Sequence, residues 1–125
     1  MKTISVNQHN QRVGKWGETC AAEYLQNQGF VIIDRNIRTP EGEIDLIAQK
    51  EDMVVFVEVK TRTNERAGYP EEAVTEEKLE HMTNSAEWFM QEHSGLGENW
   101  RIDVIAIIGK IGLDAPIIEW FQDAV

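Results

Sequence analysis

Two short apolar segments, Gly42-Glu43-Ile44-Asp45-Leu46-Ile47-Ala48 and Val54-Val55-Phe56-Val57-Glu58-Val59-Lys60, flank the polar step Gln49-Lys50-Glu51-Asp52-Met53. Runs rich in β-branched residues on either side of a short polar turn read as a β-hairpin. A turn centred between Glu51 and Asp52 pairs Lys50 with Met53. Continued in register, it sets Asp45 opposite Glu58 and Glu43 opposite Lys60. Directly paired residues hold their Cβ atoms about 4.5–5.5 Å apart, so both carboxylates can grip one cation. Residues two apart on a strand share a face, which points Glu58 and Lys60 the same way. Acid, acid and lysine thus converge on one patch of sheet.

Such a patch suits a hard divalent cation. Mg²⁺ or Mn²⁺ takes oxygen ligands, usually one or two carboxylates completed by waters and substrate phosphate. The ion polarises a phosphoryl oxygen and acidifies a bound water, while Lys60 would orient the water or stabilise phosphate charge in the transition state. The bland alternative is the solvent face of an amphipathic hairpin, with Glu43 and Lys60 as a cross-strand ion pair. One position argues against it: strand alternation does not explain Asp45 within the otherwise apolar Ile44, Leu46, Ile47 and Ala48.

Around the hairpin the pattern is that of an α/β layer protein. Val13, Trp16, Gly17, Cys20, Ala21 and Tyr24 form one stripe of a helix expected from about Gln11 to Gln28, with Gly29 as its stop. Phe30 to Arg38 reads as a strand, and Thr39-Pro40-Glu41-Gly42 as a turn. After a polar loop from Asn64 to Tyr69, Pro70 is expected to open a second helix, whose stripe is Leu79, Met82, Ala86, Phe89, Met90 and His93. Ser94-Gly95-Leu96-Gly97 ends it, Ile102 to Ile108 is a buried strand, and Pro116 to Phe121 an edge strand. The order is α-β-β-β-α-β-β, in one domain over residues 1–125.

Composition narrows the function classes. The formal net charge of −10 argues against a general polyanion binder. Charge is unevenly spread, however. Residues 1–40 carry Lys2, Arg12, Lys15, Arg35 and Arg38 against Glu18, Glu23 and Asp34, and Lys60, Arg62 and Arg66 cluster after the second hairpin strand. Between residues 71 and 98, eight glutamates face only Lys78. The single Cys20 cannot form an internal disulfide and suits a small buried hydrophobe. With no apolar leader and no apolar run long enough to span a bilayer, the expected location is the cytoplasm. His9, His81 and His93 lack metal-ligand spacing, and the four tryptophans are scattered as core residues would be.

These residues resemble the signature of the bacterial YraN-type family. Gly42-Glu43-Ile44-Asp45-Leu46-Ile47-Ala48 with Phe56-Val57-Glu58-Val59-Lys60-Thr61-Arg62 carries the likeness. It extends to Gly14-Lys15-Trp16-Gly17-Glu18 with Ala21-Ala22, to Ala73-Val74 with Lys78, and to Arg101-Ile102-Asp103-Val104. The family is placed in the restriction-endonuclease-like PD-(D/E)XK nuclease fold and is related to archaeal Holliday junction resolvases. The resemblance implies a three-layer α-β-α core with a central mixed sheet, and a Mg²⁺- or Mn²⁺-dependent endonuclease for structured or branched DNA. It implies Asp45 and Glu58 as metal ligands, Lys60 as catalytic lysine and Glu18 as a further acidic site residue. Homodimerisation is implied by junction-resolving relatives. Arg62 and Lys78 are candidate substrate contacts, although a surface lysine is the commoner fate of a residue like Lys78. Glu43 is a substrate contact, a partner of Lys60, an outer ligand or a turn-adjacent polar residue. Arg101 and Asp103 read as a structural pair. Two departures stand out. Ile44 replaces the proline that names the motif, and Glu80 and His81 follow Lys78 where relatives carry basic residues. The second departure favours an alternative from another class, a non-catalytic nucleic-acid-binding or protein-interaction adaptor that keeps the nuclease fold.

Overall fold

In a computed structural model, which describes residues 6–62, 74–112 and 115–125, the first apolar stripe winds into α1 (Val6–Asn27), beginning ahead of the expected Gln11. Its end is a Schellman motif. Gly29, at φ 94°, donates to the Gln26 carbonyl, and the Phe30 amide donates to the Leu25 carbonyl at 3.0 Å. Phe30 and Leu25 also share the core beneath α1, the apolar contact that accompanies this cap.

Among the described residues five strands follow the expected order: β1 (Val31–Thr39), β2 (Gly42–Lys50), β3 (Met53–Arg62), β4 (Asn99–Ile108) and β5 (Ile117–Phe121). They form one mixed sheet in the order β1-β2-β3-β4-β5. Only β3 and β4 run parallel, and the crossover between them carries α2 (Glu76–Glu92). The β2–β3 register is the one the turn dictated, from Lys50 opposite Met53 to Leu46 opposite Val57.

Each face of the sheet supports a helix. Ala21, Ala22 and Leu25 of α1 pack on Leu46, Ala48, Val55, Val57, Val59, Ile105 and Ile107. Met82, Ala86, Phe89 and Met90 of α2 pack on Ile44, Ile47, Val54, Phe56 and Ile102. The result is the expected α-β-α sandwich, consistent with a PD-(D/E)XK-like core.

Two expectations need revising. Pro70 and the loop of residues 64–69 lie outside the described residues, and the helix carrying the second stripe starts at Glu76. Its cap is Thr75, extended at φ −86° and ψ 165°, whose hydroxyl accepts from the Lys78 amide at 3.2 Å. A threonine oxygen satisfies one of the amides that a helix start leaves unpaired. Cys20, expected to be buried, is only partly so, packing against the rim of the α1 core. The histidine expected to be satisfied at a helix end is so: His93 caps α2, bonds the Phe89 carbonyl through Nδ1 and stacks on the Phe89 ring.

Candidate active site at the parting of two strands

The hairpin does not run regularly through Asp45. Leu46 packs in the α1 core and Ile44 in the α2 core, although residues two apart on a regular strand share a face. The same reversal occurs on β1. Arg35, opposite Leu46, bonds Thr19 of α1, whereas Ile37, opposite Ile44, packs towards α2. Between them Asn36 adopts φ 52°, the left-handed region that asparagine tolerates better than most residues. Both strands therefore turn over at Asn36 and Asp45.

Beyond this point β2 and β3 separate: their ladder ends at Leu46–Val57. The Val59 amide donates instead to Asp45 Oδ2, at 2.8 Å. This is why an acid sits in an apolar segment. Its carboxylate replaces a missing strand carbonyl, and its position at the parting leaves it only partly covered.

Side chains from both helix layers reach the parting. Glu58, only 3 % exposed, lies close enough to Asp45 for the two carboxyls to act on each other. Its Oε1 accepts two ammonium groups, Lys60 Nζ and Lys78 Nζ, each at 3.2 Å. Glu18 approaches from α1, bonded to the Asn36 side chain and close enough to Glu58 and Glu43 to feel their charges. Gly17 makes that approach possible, because a β-carbon there would overlap Thr61 Oγ1 on β3. Glu43 lies beside Lys78 on the wall of a cavity of about 230 Å³.

The sequence-predicted residues therefore divide. Glu18, Glu43, Asp45, Glu58, Lys60 and Lys78 gather at one place. Arg62 stands at the end of β3 with its guanidinium turned onto the Thr61 carbonyl. The expected Glu43–Lys60 pairing does not form, since the strands have parted before reaching it; Glu43 is opposite Arg38, and Lys60 pairs with Glu58 on its own strand. Sequence reasoning missed Asn36, whose signal was an asparagine interrupting a β-branched run. It also missed that Lys78 contacts Glu58 directly.

A family described as "Uncharacterised protein family UPF0102" matches residues 17–107, spanning every strand but β5 and both helices in part or whole. The chain belongs to the UPF0102 family. This is the YraN-type family that the motifs resemble. A UPF0102 protein of Syntrophotalea carbinolica is 47 % identical over 95 residues, covering 76 % of this chain and 77 % of the relative. Another, from Syntrophomonas wolfei, is 41 % identical over 103 residues, 82 % of this chain and 90 % of its own. A third, from Caldicellulosiruptor saccharolyticus, is 39 % identical over 116 residues, 93 % and 98 % of the two chains.

In this UPF0102 chain the electrostatics of the parting favour a cation. Burial first, and then the charges of Glu58 and Glu18, push the Asp45 carboxyl up to about 7, against the pull of the Val59 amide. Glu18 is also raised, mainly by burial, although the Asn36 bond and nearby Arg35 oppose the shift. Carboxyls that hold protons this way carry unmet demand for positive charge. Among the described residues, no three His, Cys, Asp or Glu side chains form a ready cage for a metal. Mg²⁺ takes one or two carboxylates completed by waters and phosphate, and Asp45 and Glu58 are a donor set that fits such an ion.

Proposed function

We propose that the protein is a divalent-cation-dependent nuclease that hydrolyses phosphodiester bonds in structured or branched DNA. The observation that carries this reading is the Asp45–Glu58 carboxyl pair, with Lys60 held 3.2 Å from Glu58, where β2 and β3 part. Asp45 and Glu58 would hold Mg²⁺ or Mn²⁺, which supplies Lewis acidity towards the phosphoryl oxygen and a more acidic water. The Val59 amide fixes the Asp45 carboxylate, so one ligand is positioned by backbone. Lys60, two residues along the strand from Glu58, presents its ammonium to the attacking water or to the phosphate oxygens. Glu18 adds negative charge from α1 and strengthens the hold on a cation.

The test is cleavage of labelled flaps, four-way junctions and single strands with Mn²⁺, comparing wild type with Asp45→Ala and Lys60→Ala. Cleavage by wild type and its loss in both variants is expected. Activity that survives both substitutions would sink the assignment.

One observation favours a second reading, a non-catalytic adaptor. Glu76, Glu77, Glu80, Glu87 and Glu92 are exposed along α2, the helix that supplies Lys78 to the parting. Salt dependence separates a DNA-binding protein from a protein-interaction adaptor, and the cleavage test separates the nuclease from an adaptor that binds nucleic acid. A DNA-binding protein loses affinity with a log–log slope of about −0.9 per neutralised phosphate, whereas an adaptor for proteins shows no such slope with DNA.

A further inference from the structure

Glu58 is one of the two carboxylates that would hold a metal, yet two ammonium groups already sit 3.2 Å from its Oε1. Mg²⁺ binds carboxylate oxygen at about 2.0–2.1 Å, and at that range its charge repels ammonium groups held on the same carboxylate. The two lysines are not held equally. Lys60 is 22 % exposed and emerges from the same strand as Glu58, so its stem has little freedom to retreat. Lys78 is 42 % exposed and reaches over from the third residue of α2. It also has somewhere to go, since it lines the 230 Å³ cavity together with Glu41, Glu43, His81 and Ser85.

We propose that Lys78 is a tethered competitor for the cation: it neutralises Glu58 while the site lacks metal and swings into the adjoining cavity when metal binds. The inference rests on the metal reading above and adds an exchange to it. Glu41 and Glu43, which line that cavity with Lys78, become acceptors for the displaced ammonium. Once displaced, Lys78 is free to meet a substrate phosphate beside the ion, so one residue serves both states.

Competition is reciprocal, since each cation weakens the hold of the other by the same factor. The experiment is Mn²⁺ binding to the full chain without DNA, by calorimetry at low ionic strength, for wild type, Lys78→Met and Lys78→Arg. Lys78→Met should bind Mn²⁺ about tenfold more tightly than wild type, a difference of about 1.4 kcal/mol. Lys78→Arg, which keeps the charge, should stay near wild type. A measurement on the unaltered protein guards against misfolding of a variant: amine-reactive labelling of Lys78, read by mass spectrometry, should rise when Mg²⁺ is added. Equal or weaker Mn²⁺ binding by a folded Lys78→Met, or labelling that Mg²⁺ leaves unchanged, overturns the competition and leaves the metal site standing. Absence of Mn²⁺ binding in wild type and Lys78→Met alike overturns both.

Discussion

Two acids on this sheet have opposite surroundings. Asp103, on β4, is fully buried and fully met. Arg101 donates from Nε at 3.0 Å and Nη2 at 3.3 Å, Trp120 Nε1 at 2.7 Å, and the Asp123 amide at 2.9 Å. Asp45, at the parting of β2 and β3, receives one amide and faces two carboxylates. The first acid ties β4 to the C-terminal strand and Trp120 to the α1 core. The second destabilises its own charged form. An acid that ties the fold together is surrounded by donors, whereas Asp45 is left short of them, as acids at functional sites often are.

The largest expected effect separates the two directly. Asp103→Ala leaves a partly buried guanidinium and an indole N–H without their fully buried acceptor, and loss of one partner from such a pair costs about 3 kcal/mol, the low end for a buried pair. Asp45→Asn keeps an oxygen for the Val59 amide and removes repulsion with Glu58 and Glu18. In urea denaturation of metal-free protein at pH 8, Asp103→Ala should unfold early and Asp45→Asn should match or exceed wild type. A marked loss in Asp45→Asn would erase the distinction.

Next in size is the approach of α1 to β3. Gly17→Ala drives a methyl group into Thr61, and overpacking costs about 1–3 kcal/mol. Thr61→Ala should restore most of that stability in the double variant, measured by the same denaturation. The Asp103 end of the sheet takes no part in this rescue.

pH acts on the acids of the parting with a fixed sign. The folded state keeps the Asp45 proton up to about 7, while the unfolded chain releases it near 3.8. Between those values the folded state binds more protons, so its stability falls as pH rises. The contribution of one such group is at most about 1.4 kcal/mol per pH unit. Comparing wild type with Asp45→Asn at successive pH values should isolate this slope, with a smaller remainder of the same sign from Glu18. A slope identical in both proteins contradicts the assignment.

The smallest effect concerns the delivery of Lys78. Thr75→Ala removes the α2 cap, typically worth about 1 kcal/mol, and frays the turn that holds Lys78 over Glu58. Hydrogen exchange should quicken at the Lys78 amide and stay unchanged at Asp103.

Much of this arrangement was legible because hairpin register and strand period are local rules. Turn placement alone set Leu46 opposite Val57, and the period of two put Glu58 and Lys60 on one face. The parting was illegible because it depends on two strands turning over together, and Asn36 announces its left-handed backbone only weakly. Period reasoning also placed Glu43 against Lys60, by continuing a ladder that stops at Leu46. The Lys78–Glu58 contact depends on how α2 lies across the sheet, which no spacing within either segment encodes. The start of α2 at Glu76 rather than Pro70 follows from the Thr75 hydroxyl cap.

The turnover at Asn36 and Asp45 has one more consequence. Because β1 and β2 each surrender residues to both cores, neither helix layer can peel away while leaving the hairpin intact. The hairpin acts as a rivet through the sandwich, and the acids stand at its shank. Partial unfolding of either layer therefore dismantles the parting itself, so Asp45 and Glu58 come together only in the assembled sandwich.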